Sequence, residues 1–337
     1  MIETVEKYGF VKYLLDNGAQ ISPLEINYNE IETLASMNPS IWIDGNTGYI
    51  NVRAVNYNLF NSRYREYNQN DQPISYINKK AYYLETENYF GTIDLNTLDI
   101  NQISKVQMMN THEPAWCFTG LEDARIIKWD ENIYLCGVRR DIQEDGQGRM
   151  ELTKIEYINN EWVETERTRI PAAGDDTAYL EKNWMPIIDK PWHWIKWSSP
   201  FEYCIYDKNT NKLTCEFNGN YRSCFRGDSH LVHIGNYYYC FVHDVLNKQL
   251  RQETNARVSY YKHYILRINE DLSPAGIFGP FSYDNRFNIE FGCGLAYKDG
   301  KLYLTYAEDD AIALIVKFDA NIIINLPYVD QNELYSK

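Results

Sequence analysis

Glu122, Asp123 and Arg125 stand together in the segment GLEDARI at residues 120–126, two carboxylates and a guanidinium with only Ala124 between them. General acid–base chemistry is built from such groupings, because each neighbouring charge moves a carboxyl's proton affinity in a definite direction. Other polar clusters sit just ahead of apolar positions: Lys182 with Asn183, then Arg226, Asp228 and His230, then Glu290. A further set closes strand-like runs: Arg53, Arg139, His243 and Tyr306, with Asp309 just beyond. The cations among them suit an oxyanion, Arg through its planar donor fork and Lys as a point charge. Each also has a plainer reading. The Glu122–Arg125 cluster can be a structural ion pair, and Lys182 beside Trp184 a side chain that snorkels at a surface. His230, His233 and His243 lack the His/carboxylate spacing of a metal site, so no metal and no organic cofactor is expected.

A repeat must position these residues. The pattern of polar cluster, apolar anchor, turn and aromatic-rich strand returns as NPSIWIDGNTGYINVRAVNY from Asn38, LEDARIIKWDENIYLCGVRRD from Leu121 and EKNWMPIIDKPWHWIKWSSP from Glu181. It returns again as RGDSHLVHIGNYYYCFVHDV from Arg226 and EFGCGLAYKDGKLYLTYAEDD from Glu290. The anchors are Ile41, Ile126, Ile187, Leu231 and Leu295, and the turns carry the Asp, Asn and Gly residues that tight reversals need. Each copy therefore predicts a β-hairpin. The copies begin roughly 45 to 80 residues apart, about one four-stranded blade plus its loops, which predicts an all-β, five-bladed β-propeller. In that architecture equivalent ends of the innermost strands converge on one central pocket. The predicted substrate-binding set is accordingly Arg53, Glu122, Arg125, Asn183, Asp228, Glu290, Tyr306 and Asp309, and a one-residue register slip would turn some of them away.

The chain is expected to be a single domain over residues 1–337, with a lead-in at 1–35 and the propeller at 36–325. Residues 2 to about 17 space Val5, Phe10, Val11, Leu14 and Leu15 as a short N-terminal helix that stops at Gly18. Residues 58–78 read as a long surface connection or lid, 141–149 as a loop, and 246–257 as a polar excursion. Apolar residues at 44% and aromatics at 15% supply a substantial core. A net charge of −14 without a Lys/Arg block argues against nucleic acid as a partner. No run approaches the ~20 apolar residues of a membrane span, and a soluble cytoplasmic protein is expected. The seven cysteines show no CxxC spacing and read as small core fillers. No sequence signal bears on oligomeric state.

The motifs NPSI with VRAVNY, GLEDARI, EKNWMP, FRGDSHLV and IEFGCGLAYKDGKLYLTYAEDD, spread between Asn38 and Asp319, resemble a family. It is the five-bladed propeller superfamily of mannoside phosphorylases and hydrolases, glycoside hydrolase family 130, with the related β-mannosyltransferases. GLEDARI is similar to that family's GxEDPR signature, and the whole set is closest to a branch with an EKNW motif. The resemblance implies that Asp123 is the general acid or base, and that Lys182, Arg226 and His243, with Arg139 or Arg140, hold phosphate. It implies a carbohydrate substrate, with inorganic phosphate or a sugar phosphate as co-substrate. Two departures stand out: Ala124 replaces the signature proline, and EKNWMP differs from the family's usual Lys-containing segment.

The expected function is thus inverting transfer that makes or breaks a hexoside, a β-mannoside by resemblance, in a phosphorylase-like or glycosyltransferase reaction. Phosphorolysis needs one carboxylic acid, since phosphate arrives anionic. The alternatives are a non-catalytic glycan-binding propeller, and a glycoside hydrolase with Asp123 as acid and Glu290 or Asp309 as base.

Overall fold

A computed structural model describes residues 2–26, 35–59, 76–77, 82–109, 111–172, 179–198, 201–218, 225–249, 257–285 and 289–330. Five antiparallel sheets form the blades of a propeller, and the five sequence copies are the two innermost strands of each blade. Blade one stacks Ala35–Asp44, Thr47–Val55, Leu84–Ile93 and Ile100–Lys105 from the axis outward. Blade two stacks Leu121–Trp129, Asn132–Arg139, Arg149–Ile158 and Glu161–Arg169. Blade three runs from the short Met185–Pro186 through His193–Ser198 and Phe201–Asp207 to Lys212–Asn218. Blade four sets Arg226–Gly227 and Val232–Ile234 beside Tyr237–Gln249, Arg257–Asn269 and Pro274–Phe281.

Blade five joins the two ends of the chain. Glu290–Lys298, Lys301–Glu308 and Ile312–Asp319 are completed on the outside by Gln20–Pro23, which pairs antiparallel with Ile312–Asp319. Residues 20–23, read from sequence as lead-in, therefore close the ring and cover the edge of the last sheet. The inner strands are also tied to one another. Ser40 Oγ donates to Ala124 O at 2.8 Å and accepts from Ile126 N at 3.1 Å, and Thr305 Oγ1 donates to Pro39 O at 2.6 Å. Blades five and one come so close that a Cβ on Gly294 would lie 2.6 Å from Ile41 N, so the chain can carry no side chain there.

Between blades, apolar faces interlock. Trp129, Trp184 and Trp194 are fully buried in one such layer, and Phe10, Phe241, Phe281 and Tyr283 in another. The expected N-terminal helix is two pieces, Ile2–Tyr8 and Phe10–Asp16, broken at Gly9 with φ 92°. A Cβ on Gly9 would meet Tyr283 O at 2.5 Å, so the chain approaches blade four there by giving up helical geometry. The break drives Phe10 into the core, where burial of such a side chain contributes about 1.5–3 kcal/mol.

Two further expectations from sequence change. Of the expected polar excursion at 246–257, residues 246–249 and 257 are strand, with pairing continuing from Tyr237↔Asn269 to Gln249↔Arg257, and 250–256 lie outside the described residues. Cys204 and Cys215 are not simple core fillers but form a cross-strand disulfide in blade three, where register places them opposite one another. Cys117, Cys136, Cys240 and Cys293 are free thiols, three of them buried. The proposed lid falls mostly outside the described residues; its ends, Asn58–Leu59 and Tyr76–Ile77, pair antiparallel. No helix among the described residues is long and apolar enough to cross a membrane.

Candidate active site

Three inner segments carry a left-handed residue near their start: Asn38 with φ 45°, Asp123 with φ 52° and Asn183 with φ 62°. Asn and Asp tolerate this conformation better than other non-glycine residues, which is a reason they occupy the position. In blade two the ladder register shifts between Cys136 and Val138, a bulge that leaves Asp123 and Ala124 opposite Gly137. A Cβ on Gly137 would lie 2.5 Å from Glu122 O. The bulge brings the Asp123 carboxylate to blade one, where Oδ1 accepts from Arg53 Nη1 at 2.6 Å and from Asn38 Nδ2 at 2.7 Å.

Arg53 is buried and fully engaged. It also donates to Thr86 Oγ1 at 3.1 Å and to the Tyr57 hydroxyl, and its Nη2 lies 3.8 Å from Glu122 Oε2. Burial alone would push the Asp123 carboxyl up, but Arg53, Lys182, Asn38 and Arg125 together hold it below the usual carboxylate range. Glu122 moves the other way: burial and the Asp123 charge outweigh Arg53, Lys182 and Arg140 and push it up. Asp310, at the corner after Lys301–Glu308, is pushed up to about 6 by burial and by Asp123, against the pull of Arg53 and Lys182. One carboxylate is thus kept ionised while two neighbours hold protons more tightly.

The opposite wall comes from blade four. Arg226, which is exposed, faces His243 across the ladder, and the His243 ring stacks on Tyr261 at 5.1 Å. Burial pushes the Tyr261 phenol up; Asp310, Asp123 and Asp228 add to this and Arg226 opposes it, so the phenol stands between the two walls. Asp228, fully buried, accepts from His243 Nδ1 through one oxygen and from His263 Nδ1 at 2.9 Å through the other.

Of the residues singled out from sequence, Arg53, Glu122, Asp123 and Lys182 meet in one electrostatic cluster, and Arg226 and His243 form the second wall. Arg125 lies beneath, donating to the carbonyls of Asp228 at 2.8 Å, Asp123 at 3.0 Å and Gly227 at 3.2 Å, so it clamps blade two to blade four. Asn183 is buried with its Oδ1 unpartnered among the described residues. Asp309 is buried with its backbone N bonded to Ile289 O at 2.8 Å. Glu290 faces inward and accepts from Tyr283 N at 2.8 Å and from Asp284 N; burial pushes its carboxyl well up. Tyr306 packs 4.8 Å from the Tyr283 ring and donates to Glu308 Oε1 at 3.1 Å. Arg139 turns away into blade two, where it donates to Glu151 at 2.8 Å and lies 3.3 Å from Asp141. Its neighbour Arg140 is the one whose charge reaches Glu122. His230 is buried and pushed down to about 3 by burial and by Arg125, and His233 sits at the rim beside Glu270, so the three histidines do not converge. Among the described residues the grouping with metal-ligand spacing is Glu202 with Cys204 and Cys215, whose sulfurs are bonded to each other.

Four residues at or behind the pocket escaped the sequence reading: Asn38, Tyr261, His263 and Asp310. Asn38 was within reach, since it stands three positions before its anchor Ile41, as Asp123 stands before Ile126. Asp310 was hidden by its neighbour, because at a corner the strand alternation that separates Asp309 from Asp310 no longer applies.

No family model matches the chain, and no curated protein matches it. Solved structures do. A β-1,2-mannobiose phosphorylase from Listeria innocua superposes with a TM-score of 0.54 at 8% identity, covering 90% of this chain and 95% of that one. A glycosyl hydrolase from Bacteroides ovatus gives 0.53 at 11% identity, covering 86% and 85%. A third, from work on hydrolases of the mannoside phosphorylase family 130 that target β-1,2 mannosidic linkages in Candida mannan, gives 0.52 at 11% identity and covers 84% of each chain. At these identities the shared property is the fold, a five-bladed β-propeller over most of the chain.

Proposed function

We propose that the pocket transfers a hexosyl group, a mannosyl group in the first instance, between phosphate and a carbohydrate hydroxyl with inversion. The observation that carries this reading is an aspartate held ionised among cations: Asp123 bound to Arg53, with Lys182 nearby and Arg226 and His243 on the facing wall. In the synthetic direction an ionised Asp123 is already the base. It takes the proton from the acceptor hydroxyl as that oxygen bonds to the anomeric carbon, while the bond from carbon to phosphate oxygen breaks and its electron pair leaves with phosphate. Lys182, Arg226 and His243 stabilise the departing oxyanion. In the reverse direction Asp123 returns that proton to the glycosidic oxygen as phosphate attacks. The fold shared with a mannobiose phosphorylase supports a carbohydrate substrate.

A second reading, hydrolysis, is favoured by one observation, the opposed displacement of Asp123 and Asp310. Two nearby carboxyls whose environments push them apart can divide the roles of base and acid, with Asp123 activating water and Asp310 protonating the leaving oxygen. The test is phosphate release from mannose 1-phosphate with mixed mono- and oligosaccharide acceptors. New disaccharide in step with phosphate supports transfer, and free mannose from β-mannosides without phosphate supports hydrolysis. Binding of glycans with neither product would leave a glycan-binding propeller.

A further inference from the structure

Behind the second wall lies a buried chain of ionisable groups that neither acid–base nor anion chemistry uses directly. Asp228 is fully buried, and each of its carboxylate oxygens meets an Nδ1, one from His243 and one from His263 at 2.9 Å. His263 lies at register opposite His243 on Arg257–Asn269, stacks 4.1 Å from the Tyr283 ring, and places its Nε2 3.8 Å from Glu290 Oε2. His243 makes no hydrogen bond through Nε2 among the described residues. The groups that face His243 are Asp228 from the inner segment, Arg226 across the ladder, Tyr261 and His263 from the next strand, and Phe291 from blade five. Glu290, Lys262 and Tyr283 act on the His263–Asp228 end.

We propose that Asp228 and His263 are positioning residues for the anion site: together they fix His243 with its Nδ1–H donated inward and its Nε2–H presented to a phosphate oxygen. This rests on the reading of His243 as an anion ligand. A neutral imidazole that gives Nδ1–H to Asp228 has only a lone pair left at Nε2, which repels an oxyanion. Binding therefore requires both ring nitrogens protonated, and the Asp228 carboxylate is the counter-charge for that form. His263 must not compete for the same charge. Burial pushes its imidazole down more than Asp228 lifts it, so it serves as a neutral donor that pins the second oxygen. Burial would push Asp228 up, but His243 and His263 hold it below the usual range, so the counter-charge persists at neutral pH.

The decisive experiment combines imidazole ¹⁵N NMR with calorimetric titration of inorganic phosphate between pH 5.5 and 8. In the unmodified protein His243 should show a protonated Nδ1 throughout, and phosphate should bind the form whose Nε2 is protonated as well. His263→Phe keeps the ring against Tyr283 but removes the donor. It should mix the His243 tautomers and weaken phosphate about tenfold, the loss of one charge-assisted hydrogen bond. His263→Asn, which can still donate to Asp228, should stay within about twofold of the unmodified protein. A His243 signature and phosphate affinity unchanged in a cooperatively folded His263→Phe overturns the proposal. So does an Nε2–H, Nδ1-unprotonated His243 in the unmodified protein, which requires no variant to fold. Absence of phosphate binding at every pH, with tautomer mixing still produced by His263→Phe, would instead reject the anion reading while leaving the positioning of His243 intact.

Discussion

Asp123 and Asp228 hold the same place in two repeats, three residues before the apolar anchors Ile126 and Leu231, and both are buried and held below the usual carboxylate range. Their partners differ. Asp123 meets a guanidinium and an amide from blade one, whose charge and protonation do not change over any working pH. Asp228 meets two imidazoles, neither of which carries a fixed charge. One position of the repeat thus yields a carboxylate of fixed charge on the pocket side and, in another blade, a carboxylate that orients an imidazole from behind the wall. Burial alone decides neither outcome; the identity of the group across the gap does.

The largest expected effect separates the two in function. Asp123→Asn should lower turnover of mannose 1-phosphate by about a thousandfold in protein that still unfolds cooperatively, within the range general acid–base groups contribute. Undiminished phosphate release would remove Asp123 from the chemistry. Asp228→Ala should instead act on the fold: it leaves buried imidazoles without their acceptor, and denaturant unfolding should show a loss of about 3–5 kcal/mol. A loss below ~1 kcal/mol would mean that no charge was being compensated there.

The fixed charge at Asp123 can be probed through Arg53→Met, which leaves a buried carboxylate without its guanidinium and should cost about 3 kcal/mol at pH 7. The sign with pH follows from the depressed carboxyl. Stabilisation by the pair is complete above the unfolded value near pH 4 and lost as pH falls through the folded value, so variant and parent should converge in acid. Parallel stability curves across that range would break the assignment of an ionised Asp123.

Asp310 should give the smallest effect and the opposite sign. Its carboxyl is raised to about 6, so the folded chain holds that proton longer than the unfolded one, and stability drops as pH rises from about 4 through 6. Asp310→Asn should therefore be the more stable protein at pH 8, by about 1 kcal/mol once solvent screening of a half-buried group is allowed for, and equal to the parent at pH 3. If the pH–rate profile carries an inflection near 6, the same variant should erase it; an inflection that survives belongs to another group.

By itself the sequence determined the repeat. Turn residues, anchors and aromatic strands are local signals, and they located the innermost hairpin of every blade, the Asp123 segment and the cluster of Arg53, Glu122 and Lys182 around it. Only the tertiary structure decided which polar ends face the pocket. Bulges at Met37/Ser40, Cys136/Val138 and Gly292/Gly294 break strict alternation; Arg140 rather than Arg139 acts on Glu122, and Glu290 and Tyr306 turn inward. It also decided every long-range pairing: residues 20–23 closing blade five, Cys204 bonded to Cys215, and His263 meeting Asp228 across 35 positions of chain. Such partners leave no periodic trace, because closing the ring sets the distance between blades, whereas spacing along a strand reports only its own two faces.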